Sequence, residues 1–188
     1  MFSVVNSFSQ KTYKDSIQAY IDKYVKEHEV VKGNDKNDLQ FFPIDESYRV
    51  TATIEITNDT KWFQMETSGP IKKTFRTYGV INFKVHDMVM KLHVYQSQNL
   101  LRSEQYKDYL FIPFTDLTSG NTTYEAGRYI DIKSSEIKGD HVVIDFNKAY
   151  NPYCAYVKNV YNCPIPPREN DLPVAILAGE KEYGKKKN

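Results

Sequence analysis

Only two of the 188 residues are cysteine, four are histidine and one is tryptophan. So few thiols and imidazoles leave little from which to build a metal centre. His28, His86, His93 and His141 show no ligand spacing, and each reads as an exposed or singly bonded histidine. Cys154 and Cys163 stand too far apart for the C-x-x-C pair of a zinc or dithiol site. Glycine is scarce too. The eight glycines are scattered, so there is no Gly-rich phosphate loop, and no nucleophile elbow marks a serine hydrolase. A net charge of +1 supplies no strong field to draw nucleic acid or an anionic membrane. No apolar run approaches the roughly 20 residues that span a bilayer. Internal repeats and low-complexity segments are absent. These gaps point away from metal, nucleotide and nucleic-acid chemistry, and no cofactor is implied.

What is present suits one globular, soluble domain: 40% hydrophobic and 26% charged residues. Fifteen tyrosines and ten phenylalanines favour strands and amphipathic surfaces over helix bundles. The opening MFSVVNSFSQ lacks a basic start and a full apolar core. It reads as the stub of a signal or as a frayed N-terminus. The cysteines favour export over a cytoplasmic location. Residues 1–11 are therefore set apart, 12–181 form a single β domain with an N-terminal helix, and 182–188, with Lys185–Lys187, form a solvated tail.

Residues 12–28 read as a helix. Tyr13, Ile17, Tyr20, Ile21 and Tyr24 make one stripe at helical spacing, and Thr12 with Asp15 forms a capping box. The period then changes to two. Tyr48, Val50, Ala52, Ile54 and Ile56 alternate with polar residues, as in a half-covered antiparallel strand. After a turn at Asn58-Asp59, Lys61–Thr67 is expected to return beside that strand. Lys73–Val85 is a long strand with Phe75, Thr77, Gly79, Ile81, Phe83 and Val85 on one side, and it turns at His86-Asp87 into Met88–Gln96. Further strands are expected at Tyr109–Phe114, Thr122–Ile132, His141–Asn147 and Pro173–Leu177. Seven or eight short strands predict an antiparallel β-sandwich or flattened β-barrel with one N-terminal helix and a long ordered C-terminal loop.

That loop, Asp145–Asn170, is the densest stretch of the chain. It holds both cysteines and the prolines at 152, 164, 166 and 167, which rule out a regular strand or helix. Its four tyrosines argue against a floppy linker. Ordered irregular loops are where sites tend to sit. Cys154 and Cys163 suit a disulfide, with free buried thiols and a metal or redox role as the alternatives. Asp145 and Asn147 leave their strand side by side, placed either to bind a ligand or to cap the loop's own backbone. Arg128 shares a face with Ile130 and Ile132, so an inward guanidinium needs Asp145, Glu169 or Asp116 as its partner. Free of such a pairing, it would clamp an anionic ligand. Arg76 and Tyr78 could line the same cavity, and Glu169, if desolvated near Asp145, could act as a general base.

Several long segments carry a family likeness: FFPIDESYRVTA at 41–52, YGVINF at 78–83, LFIPFTDLTSGNTTYEAGRYIDI at 110–132, DFNKAYNPYCAY at 145–156, CPIPPREN at 163–170 and AGEK at 178–181. Over residues 40–181 the chain resembles the domain of unknown function family 1684, found in bacteria and archaea. The resemblance implies that the GRY, DFN, NPYC and PPREN positions form one signature. It implies no activity, cofactor or catalytic residue. Three functions follow from the residues. The first is a β-module binding a small polar or anionic ligand under the 145–170 loop, with Arg76, Tyr78, Arg128, Asp145, Asn147, Tyr150, Asn151, Glu169 and Asn170 as candidate contacts. The second is a structural or interaction protein in which the same residues build the fold. The third, ranked last, is a hydrolase-like enzyme using Asp145 or Glu169 with Arg128. Oligomeric state is not legible.

Overall fold

The first element begins where its cap predicts. The Thr12 hydroxyl accepts the Asp15 N–H at 3.1 Å, and the Asp15 carboxylate accepts the Thr12 N–H at 3.1 Å. Helix α1 then runs Tyr13–Glu27 and buries Ile17 and Ile21. The computed structural model describes residues 12–57 and 61–184. The N-terminal stretch 1–11, the Asn58-Asp59 turn and the three terminal lysines lie outside them.

Seven strands follow: β1 (Arg49–Ile56), β2 (Phe63–Met65), β3 (Lys73–Val85), β4 (Met88–Ser97), β5 (Tyr109–Phe114), β6 (Arg128–Lys133) and β7 (His141–Asp145). They pair antiparallel in the order β6-β5-β4-β3-β1-β7, with β2 alongside β3. The sheet curls into a half-barrel beside α1. Lys61–Thr67 was expected to return against β1. Instead β2 pairs with β3, Phe63 opposite Phe75 and Met65 opposite Lys73, because β1 is already flanked by β3 and β7.

The concave face holds the main core. Alternate residues of six strands meet there, among them Ala52, Ile81, Leu92, Ile112, Ile130 and Ile144. β3 does not present one continuous face. Its pairing with β4 slips between Thr77 and Gly79, and such a bulge moves the side chains beyond it to the other side. Ile81, Phe83 and Val85 therefore join the main core, while Phe75 joins Met65 and Tyr95 in a second cluster on the opposite face.

The C-terminal stretch closes the concave side. Leu172, Val174, Ile176 and Ala178 are all buried there, which keeps the alternation expected of Pro173–Leu177, yet no regular strand forms. Thr122–Ile132 is likewise shortened to β6, because Gly127 turns the chain at φ +87° against the Phe114 carbonyl. The chain stays packed past 181. Tyr183 is buried beside Val31 and Leu39, and the Gly184 N–H reaches the Asp38 carbonyl at 3.0 Å, so a tail starting at 182 begins too early.

Candidate functional site

Most of the polar side chains singled out in the sequence serve the backbone. Arg128, 1% exposed, points into the concave side. One guanidinium nitrogen donates to Asp116 at 2.7 Å and to the Ile176 carbonyl at 2.9 Å. The other donates to the carbonyls of Ala178 and Glu180. Of the three carboxylates proposed for it, Asp116 is the partner. The arginine donates to carbonyls that the N–H groups of a neighbouring strand would otherwise bond, along a stretch that lies extended without a ladder.

Asp145 and Asn147 also work on the chain. The Asp145 carboxylate accepts the Asn147 N–H at 3.1 Å and the Tyr13 hydroxyl at 3.0 Å. The Asn147 amide exchanges bonds with the Asp45 N–H at 3.0 Å and the Asp45 carbonyl at 2.8 Å. Asn170 stands in for a residue between β4 and β5: its oxygen takes the His93 N–H at 2.7 Å, and its nitrogen reaches the carbonyls of His93 and Pro113 at 2.9 and 2.7 Å. Arg76 forks onto the Gln96 amide oxygen and lies over Trp62, and Tyr78 packs on the main core. Glu169 accepts the Tyr95 hydroxyl at 3.0 Å. That places its carboxylate against β4, while Asp145 ends β7, three strand spacings or about 14 Å along the sheet. The structure does not bring these two carboxylates together.

Asn151 is fully buried, with its N–H on Glu180 at 2.9 Å and its side-chain nitrogen on the Lys181 carbonyl at 2.8 Å. Glu180 is a residue the sequence reading missed. It is 0% exposed, and its carboxylate accepts hydroxyls from Tyr24 at 3.1 Å and Tyr156 at 2.7 Å, themselves 3.0 Å apart. Burial pushes its carboxyl up to about 7 against the pull of these bonds. His28 borders the cluster, edge-on to Tyr156 at 4.6 Å. It was expected to be exposed or singly bonded; it is buried, with its Nδ1 accepting the Val31 N–H at 2.9 Å and its Nε2 without a hydrogen-bond partner.

A cleft of about 610 Å³ opens on the other face of the sheet, against the 145–170 loop. Phe75 and Lys73 of β3, Tyr109 and Phe111 of β5, and Tyr129 and Asp131 of β6 form its floor. Tyr150, Tyr153 and Tyr161 of the loop stand along one side, with the Cys154–Cys163 disulfide behind them, and Tyr20 and Tyr24 of α1 close another. The rings hold one another. Phe75 stacks on Phe111 at 5.5 Å, Phe111 meets Tyr129 edge-on at 4.7 Å, and Tyr129 meets Tyr150 edge-on at 5.8 Å. The loop is tied down by the Tyr129 hydroxyl on the Pro164 carbonyl and by Ile165 on Glu66.

Asp131 is the one carboxylate among the described residues that line this wall. Water reaches it through the cleft, and the Tyr150 hydroxyl donates to it at 2.6 Å. The protein packed around it pushes the carboxyl up to about 6, opposed by that bond. Of the candidate contacts named from sequence, Tyr150 alone lines the cleft. A signal for the rest was present in YLFIPF: β5 is apolar on both faces, and so is a strand covered on both. Among the described residues, no group of three His, Cys, Asp or Glu side chains could hold a metal ion, and no helix is long and apolar enough to cross a membrane.

Residues 35–181 match the family model described as a protein of unknown function, DUF1684. The chain belongs to the DUF1684 family. The match takes in the sheet, the loop and the buried Glu180, but not α1 with its two cleft tyrosines. The DUF1684 fold is also similar to the solution structure of an uncharacterised protein from Haloarcula marismortui. That likeness has a TM-score of 0.67 and 29% identity, and it covers 88% of this chain and 92% of that one. No curated protein matches the chain.

Proposed function

We propose that this DUF1684 chain is a β-module that binds a small organic ligand in the aromatic cleft beside the 145–170 loop. The observation that carries the reading is the convergence of tyrosine and phenylalanine rings around a single carboxylate, in a cleft of about 610 Å³. That volume falls in the range of small-molecule sites, which are largely apolar with a few polar groups to set orientation. The signature arginine and asparagines are bonded to backbone, so they support the floor and the loop and leave contact to the rings. Among the described residues no guanidinium lines this wall, since Arg128 and Arg76 both have their partners elsewhere, and its cation is the Lys73 ammonium on β3.

Ligand-observed NMR with a set of ring-bearing fragments tests the reading. Fragments should receive saturation from the parent protein and lose it in Leu100→Trp, where a bulky ring on a half-exposed cleft residue fills the mouth. Absence of any fragment signal, or signals unchanged by that substitution, rules the cleft out as a binding site.

A further inference from the structure

Resting on the cleft reading above, we infer that the ligand is an organic cation, a ring-bearing ammonium ion whose charge is held by Asp131 and whose body lies along the Phe75–Phe111–Tyr129 wall. Asp131 is placed for this by register. It sits opposite Phe111 on β5 and two residues from Tyr129 on the same face of β6. One of its oxygens accepts the Tyr150 hydroxyl. No lysine, arginine or histidine among the described residues lies within ion-pair distance of the carboxylate.

The nearby cations are engaged or remote. Lys133, next along the same face, lies 5.1 Å over the Tyr109 ring. Lys73 shares the cleft but stands on β3, three strand spacings or about 14 Å across the sheet from Asp131. Arg128 points to the opposite face and is closed by Asp116. A carboxylate left without a counter-ion on a wall of electron-rich rings is complementary to an ammonium group, which gains from both the charge and the ring faces. A ligand carboxylate in the same place would face Asp131. The Tyr20 and Tyr150 phenol oxygens, on residues that line the cleft, add acceptors for the ammonium hydrogens.

Three probes of one shape separate this inference from the cleft reading: tryptamine, its neutral alcohol tryptophol, and indole-3-propionate. Titrated calorimetrically into the full chain at pH 7.5, tryptamine should bind about tenfold more tightly than either of the others. Asp131→Asn keeps an acceptor for the Tyr150 hydroxyl. It should lower tryptamine to the level of tryptophol and leave tryptophol unchanged. The contrast among probes on the parent protein needs no variant, so it stands even if the substitution unsettles the fold. Equal binding of all three, or tightest binding of the acid, overturns the cation inference and leaves the cleft as a site. Tight tryptamine binding that Asp131→Asn does not alter overturns the role of Asp131. No binding by any probe overturns both readings.

Discussion

Arg128 shows how one side chain can replace a strand. Its guanidinium makes four hydrogen bonds, three to carbonyls of the C-terminal stretch and one to the buried Asp116. The planar fork suits several acceptors at once, which a lysine ammonium does not. Removing it leaves a buried carboxylate without a counter-charge and three carbonyls without donors. Arg128→Met is therefore expected to lose about 3–5 kcal/mol of stability, and Arg128→Lys to recover only part of that. Urea denaturation measures both. A loss under about 1 kcal/mol for the methionine variant would mean that water replaces the clamp. Asn170 acts at the same scale, its amide completing the ladder between β4 and β5.

At the scale of elements, the 145–170 loop is a braced arch. The disulfide between Cys154 and Cys163 closes its bend, the Thr67–Pro164 bridge fixes its return limb, Asp145 caps its start, and Asn147 ties that start to the Asp45 backbone. Closing so short a loop restricts the unfolded chain by about 2–3 kcal/mol. The double variant Cys154→Ala/Cys163→Ala should be less stable by that amount and still fold, because the other ties remain. Chemical denaturation of the parent with a reductant present should give the same midpoint as the variant without it. A parent unaffected by reductant would mean the thiols are not bridged in solution. Elements with a clean period were legible in the sequence: β3 and β5 lie where alternation and an apolar run put them. Errors arose where a tertiary partner decided. Sequence neighbours suggested a β1–β2 hairpin, but β1 is already flanked by β3 and β7, and β2 pairs with β3. The bulge at Thr77–Gly79 carries no pattern that sets it apart from an ordinary strand. The cleft stayed hidden because Phe75, Phe111, Tyr129 and Asp131 come from three strands, and none is unusual in its own segment.

Across the whole molecule, α1 is held to the half-barrel by a buried proton-binding cluster. Tyr24 and Tyr156 bond Glu180 and each other, so a proton on the Tyr156-side oxygen completes a ring of three hydrogen bonds. The carboxyl is raised in the fold from 4.5 to about 7. A raised acid binds its proton more readily folded than unfolded. Its stabilising effect is thus complete below pH 4.5 and is lost as pH rises to about 7, by an amount on the order of 3 kcal/mol. His28, beside it, runs the other way: burial, with Lys36 and Lys32, lowers it from 6.5 to about 4, so its contribution is present above pH 6.5 and lost as pH falls toward 4. Between about pH 4.5 and 6.5 the two slopes oppose each other, and the parent's dependence from this pair is flat. Glu180→Gln keeps the ring, since the amide nitrogen can donate to Tyr156 and the oxygen can accept from Tyr24. The variant should match the parent near pH 4.5, exceed it above pH 7, and show the acid-side loss from His28 unopposed. Denaturation midpoints at pH 4.5, 6 and 8 for both proteins read the difference directly, and a gap that stays constant with pH would place the ionised form of Glu180 in the fold throughout.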